Sequence, residues 1–182
     1  TRALAAAADL VGRGATRHAI VAGVDSLLDA AALAALDEKR RLLTADNHDG
    51  LLPGEAAAAI LVGRPAPAAP AGLTCLGLGL GHEPSAADRS LPLRADGLTE
   101  ALRNALADAG LGWDSVAYRI ADISGEQLRF KEAALALTRS LRERKPTFEL
   151  WHPADCVGEV GAASVPLVLG VALAAARKRY AP

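Results

Sequence analysis

Two short continuous apolar runs, residues 19–23 and 57–62, constrain the fold more than any other feature of the chain. Each has the pattern of a strand buried on both faces. Helical signals separate them. Residues 2–13 are rich in Ala and Leu and read as a helix closed by Gly14. Residues 27–36 return to helical spacing, with Asp25 and Ser26 available as caps, and a polar loop follows over 44–54. Helix, buried strand, helix, buried strand is the order of a layered α/β protein. Both strands are therefore expected in one sheet, covered by helices on both faces.

Residues 63–70 form a connector, because Pro65, Pro67 and Pro70 cannot donate backbone hydrogen bonds to a helix or a central strand. Beyond it the pattern gives a strand over 73–80 and an amphipathic helix over 98–109 stopped by Gly110. A strand over 116–121, a helix over 126–142, a short strand over 148–151 and a final helix over 157–177 complete the series. Gly77, Gly79 and Gly81 alternate with Leu76, Leu78 and Leu80 inside the expected strand. A dinucleotide fingerprint would instead follow a strand and open a helix. With a period of two the three glycines share one face, where another backbone or a helix can approach closely.

Charge narrows the partners. Twenty basic side chains stand against 21 acidic ones, a net charge of −1, and aromatic residues make up 3%. A nucleic-acid partner is not expected from such a balance. Cys75 and Cys156 form no CxxC pair, which argues against a structural zinc or a disulfide framework. The apolar stretch 160–176 falls short of the roughly 20 residues a membrane span needs. It is also interrupted by Gly161, Ser164, Pro166 and Gly170. It reads as a buried helix, with Arg177, Lys178 and Arg179 at the end where positive charge is favoured. No targeting segment is evident, so a cytoplasmic location without membrane attachment is expected. The chain begins at Thr1 and contains no Met, as a fragment of a longer protein would.

Polar candidates are few. His18 precedes a strand and reads as solvated, and His82 beside Glu83 is too little for a metal site. His152 and Cys156 are four apart, the spacing of a thiolate and its base on one helical turn, yet no third orienting group is apparent. The loop containing Asp46, Asn47, His48, Asp49 and Gly50 lacks the ligand spacing of an EF-hand. It reads as a turn with Asp49 and Gly50 at its tip. Glu55, next to Gly54 at the mouth of the second strand, is expected to accept backbone hydrogen bonds or an ion pair.

Taken in order, Val21-Ala22-Gly23-Val24-Asp25, then Asp49-Gly50 and Pro53-Gly54-Glu55 leading into a strand, resemble the β-ketoacyl-acyl-carrier-protein synthases of the thiolase-like superfamily. Later segments keep the same order. Leu73-Thr74-Cys75-Leu76-Gly77-Leu78-Gly79 resembles the strand that opens the family's second half. The helix over 98–111, ending Asp108-Ala109-Gly110-Leu111, resembles the one before its first catalytic histidine. Gly161-Ala162-Ala163-Ser164 resembles the start of its late buried helix. The resemblance implies a layered thiolase-like (αβαβα) fold, truncated at both ends. Residues 1–64 would belong to the first half, 65–70 to a Pro-rich connector and 71–182 to a second half lacking its final strands.

The implied family reaction is acyl transfer and decarboxylative condensation on acyl-carrier-protein substrates, in fatty acid or polyketide synthesis. The family's cysteine nucleophile would fall a few residues before Thr1. Its first histidine follows a Tyr-x-x-Ala segment; here Tyr118-Arg119-Ile120-Ala121 is followed by Asp122. The second histidine position falls at Gly158, or at Glu159 with a one-residue gap, and the lysine position at Pro153. A carboxylate at either histidine position would repel the enolate oxygen that the family's basic side chains stabilise. A segment inactive by itself is expected, retaining no catalytic residue and holding no cofactor or metal. Asp49, Gly50, Gly54, Glu55 and Gly161 would keep the structural motif. The competing expectation is a non-catalytic partner or scaffold subunit, and a third is an acyltransferase or hydrolase that keeps only the nucleophile. A homodimer is expected from the resemblance, with an acyl carrier protein as the other candidate partner.

Overall fold

A computed structural model describes residues 1–65, 72–87 and 91–181. The elements run α1 (Arg2–Gly12), β1 (His18–Ser26), α2 (Ala30–Glu38), β2 (Glu55–Gly63), α3 (Pro84–Ala87), α4 (Asp96–Ala109), β3 (Arg119–Ile120), α5 (Gln127–Ser140), β4 (Leu150–Trp151), α6 (Ala154–Val157) and α7 (Ser164–Lys178). Short 3₁₀ turns occupy Trp113–Ser115 and Gly161–Ala163. Apart from Pro65, the connector expected at 65–70 lies outside the described residues. The chain forms two compact units. One comprises Thr1–Thr74, Ile120–Glu126 and Trp151–Pro182; the other comprises Cys75–Arg119 and Gln127–Leu150.

In the first unit β1 and β2 pair antiparallel along their full length, from His18 opposite Gly63 to Ser26 opposite Glu55. The single sheet expected for the two apolar runs is present, but its burial is one-sided. Ala19, Val21, Gly23 and Asp25 face inward, where α1 and α7 pack. On the opposite face Ile20 is 73% exposed, Val24 74% and Leu61 67%, with Ala22, Ala57 and Ala59 exposed between them. The expectation of helices on both faces is thus corrected. An unbroken apolar run is compatible with either arrangement, since it says only that neither face needs charge.

α1 buries Ala7 and Val11, one turn apart, and Arg64 donates from Nε and Nη2 to the carbonyls of Val11 and Gly12 at its end. Gly14, just beyond, has φ +76°, as a helix-closing glycine does. α2 starts later than its spacing indicates. β1 runs through Asp25 and Ser26, and the cap is Asp29, whose carboxylate accepts from the amides of Ala31 and Ala32. The polar loop turns at Thr44 and Asn47, which exchange backbone hydrogen bonds, so Asp49 and Gly50 are not its tip. Asn47 Nδ2 secures the turn by donating to the carbonyls of Arg40 and Leu42.

The single final helix expected over 157–177 is three pieces. Gly158, at φ +75°, ends α6, and a 3₁₀ turn precedes α7. Residues Gly161–Lys178 are long and apolar enough, by length and composition, to cross a membrane, and 17% of them are buried. α7 packs on β1 and β2 and buries Ser164, Pro166 and Ala175, less completely than the buried helix expected from its composition.

In the second unit the segment expected as a strand over 73–80 carries no ladder among the described residues. Its glycine face is nevertheless used as anticipated. A Cβ on Gly77, Gly79 or Gly81 would lie within 2.2 Å of the carbonyl oxygens of Ala105, Ala101 and Gly97, all on α4. Leu78 N–H donates to Asp108 Oδ2 at 2.9 Å, fixing the register. Gly110, at φ +65°, closes α4 where the sequence places its stop. At the other end Glu83 accepts from the Gly97 amide and Ser85 Oγ. Burial works against the Glu83 carboxylate, but those hydrogen bonds together hold its pKa below the ordinary value.

The strand expected over 116–121 shortens to β3. Lys145 Nζ donates to the carbonyls of Asp114 and Val116, so these acceptors serve a side chain rather than a neighbouring strand. Lys145 and Arg119 both lie over the Phe148 ring, at 5.0 and 4.5 Å, and Trp113 meets the same ring edge-on. Burial lowers the Arg119 pKa from its ordinary value.

Candidate functional site

Gly54, the last residue before β2, sits at a crossing too tight for a side chain. A Cβ there would lie 2.1 Å from the Val157 carbonyl oxygen. Its amide donates to Glu159 O at 2.9 Å, and Glu159 N–H donates to Leu52 O at 2.7 Å. Segment 52–54 is thereby stitched to the residues that follow α6. Gly158 makes the sharp turn between them, and a Cβ on it would meet Leu52 O at 2.8 Å. Gly50, one step earlier, is buried against the backbone of Leu42 and Leu43. Beside it Leu51 is 1% exposed.

This stitching forms one wall of a small open cleft in the first unit. Asp122, distant in sequence, lines it together with Pro153, Gly158 and Glu159 of one short segment, with Val157, Ser164, Leu167 and Val168 as apolar or small neighbours. Asp122 is exposed; it follows Ala121, whose amide donates to Trp151 O at 2.9 Å. Glu159 is half-buried, and its Oε1 accepts from the Gly161 amide at 3.0 Å. Among the described residues the cleft is therefore lined by two acidic residues and no basic one. It suits a hydrogen-bond donor or a cation better than a developing oxyanion.

Other candidates are dispersed. His152 Nδ1 lies 2.7 Å from Asp155 Oδ2, which is the ring partner the sequence left unidentified, while Cys156 is exposed. Glu55 is exposed rather than buried and accepts from Ser26 Oγ across the β1–β2 pair at 3.0 Å. Asp49 is exposed, outside the cleft. Gly161, at φ +49°, leaves room for Asp25, whose Oδ2 accepts from the Ala162 amide at 2.9 Å. Among the described residues no group of three or more His, Cys, Asp or Glu side chains is placed to hold a metal ion.

Sequence reasoning missed Arg41 and Glu126. Arg41 Nε and Nη2 donate to Glu126 Oε1 and Oε2 at 2.8 and 2.6 Å, and Glu126 is buried. The hydrogen bond to Glu126 raises the Arg41 pKa further, burial opposes this, and the charges of Glu126 and Glu159 reinforce it. Arg41 stands in the charged stretch 37–41, which resembles any solvated surface, so no local signal marked it.

No protein-family model and no curated protein matches the chain. Solved structures do. A ketosynthase domain of the oxazolomycin system of Streptomyces albus JA3453 superposes with a TM-score of 0.79 at 20% identity, over 94% of this chain. A ketosynthase in complex with its chain length factor from Xenorhabdus doucetiae gives 0.79 at 21% over the whole chain. The chain has the ketosynthase fold. A β-ketoacyl synthase from Burkholderia phymatum STM815 agrees, at 0.73 and 22% over the whole chain. These matches bear out the layered thiolase-like α/β class expected from the motif order. The chain spans 33%, 44% and 47% of the three matched chains.

Proposed function

We propose that the chain is part of a 3-oxoacyl-ACP synthase-like protein, and that residues 1–182 do not by themselves catalyse ketoacyl condensation. The observation that carries this reading is the character of the cleft. Asp122 lines it where the resemblance expects the first histidine, Gly158 and Glu159 line it as the two alternative positions of the second, and Pro153 lines it where the resemblance expects lysine. Decarboxylative condensation requires a thiolate to hold the acyl group and neutral or cationic donors for the enolate oxygen. Loss of one such donor costs about 10²–10³ in rate, and a carboxylate in its place repels the charge it should stabilise. Malonyl-carrier protein incubated with the purified chain should release no carbon dioxide above background, and Asp122→His alone should not restore release. Release above background would overturn the reading.

A second reading, a non-catalytic partner or scaffold subunit, is favoured by the likeness to a ketosynthase solved in complex with its chain length factor. In that role the fold supplies surface rather than chemistry. The exposed apolar face of β1–β2 supports assembly with at least a second copy. An acyl carrier protein is the other partner this reading brings in, and the setting is cytoplasmic.

A further inference from the structure

The exposed face of β1–β2 in the first unit tapers along its length. Its aliphatic rungs, read across the pair, are Ile20 opposite Leu61, Ala22 opposite Ala59 and Val24 opposite Ala57. The end nearest His18 is therefore bulky, and the His18 ring adds to it by lying across Gly63, where a Cβ would come within 2.9 Å of the ring. Toward Ser26 the face is thin. Charge follows the same axis. Arg17 and Arg64 stand exposed at the bulky end, and Arg64 donates to carbonyls rather than to a carboxylate. At the thin end Glu55 lies on the face itself, opposite Ser26.

We infer that two copies pack face to face through this surface with their strands antiparallel, the bulky basic end of one on the thin acidic end of the other. The inference rests on the second-copy assembly proposed above and adds its geometry. Two such faces close about a two-fold axis in two ways. An axis along the strands brings like ends together. Ile20 then lies over Leu61 of the second copy, Val24 lies over Ala57, and both Glu55 carboxylates share one end. The contact is overfilled at one end and hollow at the other. An axis across the strands brings unlike ends together. Leu61 then lies over Ala57 of the second copy and Ile20 over its Val24, so the thickness is even, as sheets stacked about 10 Å apart require. Glu55 meanwhile reaches the end carrying Arg17 and Arg64. Taper and charge select the same form independently.

Cross-linking of the 182-residue chain tests the arrangement. In a Cys75→Ser, Cys156→Ser background, one chain carries His18→Cys and another Ser26→Cys, at opposite ends of β1 and about 26 Å apart along it. With a bis-maleimide whose arm spans about 10 Å, a mixture of the two should cross-link about tenfold more than either alone, since only unlike ends lie within one sheet spacing. Cross-linking of each chain to itself and not to the other overturns the arrangement and leaves second-copy assembly standing. So does a dimer that cross-links in neither combination. A chain that scatters as a monomer at high concentration removes both. Glu55→Lys gives a reading without new cysteines. It should raise the dimer dissociation constant by about tenfold at low salt, because the two-fold axis makes the contact twice. Adding Arg17→Glu should recover most of that loss. A dissociation constant that Glu55→Lys leaves unchanged overturns the arrangement equally.

Discussion

Gly161 and Asp25 are 136 residues apart and depend on each other. With φ at +49° and a Cβ position 2.1 Å from Asp25 Oδ2, Gly161 leaves no space for a side chain. Gly161→Ala should therefore destabilise the protein by about 1–3 kcal/mol in urea unfolding, through backbone strain and overpacking together. Adding Asp25→Ala should recover only part of that loss, because it relieves the contact but not the dihedral and also removes the acceptor of the Ala162 amide. The motif order in the sequence marked Gly161 as structural, but Asp25 read as a helix cap. A cap is legible because its partners lie two or three residues away. An acceptor for an amide 137 residues distant leaves no local trace, and the Arg41–Glu126 bond, spanning 85 residues, is invisible for the same reason.

At the scale of elements the clearest agreement between sequence and structure is the glycine segment lying along α4. Two residues of extended chain advance about 6.6 Å and four residues of helix about 6.0 Å, so every second residue of the segment, each a glycine, meets every fourth helical carbonyl in near register. That match explains why Gly81, Gly79 and Gly77 face Gly97, Ala101 and Ala105 in turn. Gly79→Ala places a methyl 1.8 Å from the Ala101 carbonyl oxygen, so the segment must lift from the helix. We expect a loss of about 1–3 kcal/mol in chemical unfolding. Gly72→Ala, at a position with nothing within 4 Å, should be close to neutral and serves as the control. Periodicity made this face legible. It could not reveal that Gly158 interrupts the helix expected over 157–177, because the reason lies in backbone pairing of Glu159 with Leu52 and Gly54, far away in sequence.

For the whole molecule the decisive feature is the sheet face that no helix covers among the described residues. Ile20, Val24 and Leu61 stand mostly exposed around Ala22, Ala57 and Ala59, an uninterrupted aliphatic surface with polar residues only toward its ends, at His18, Ser26 and Glu55. The sequence could not distinguish this from a covered face, since burial by a second chain and burial within one chain select the same side chains. Contiguous aliphatic area of this kind favours association in water. Light scattering of the purified chain should accordingly give at least a dimer. Val24→Asp supplies the sharper test. Its side chain is 74% exposed, so an acidic replacement removes little packing within the chain and should change unfolding stability by no more than about 0.5 kcal/mol. A carboxylate in the middle of an aliphatic contact, however, is stripped of water without a partner. The variant should therefore shift toward monomer with its unfolding midpoint, measured at low concentration, nearly unchanged. A wild-type chain that scatters as a monomer at high concentration, or a Val24→Asp variant that assembles as wild type does, would show that this face is not what holds copies together.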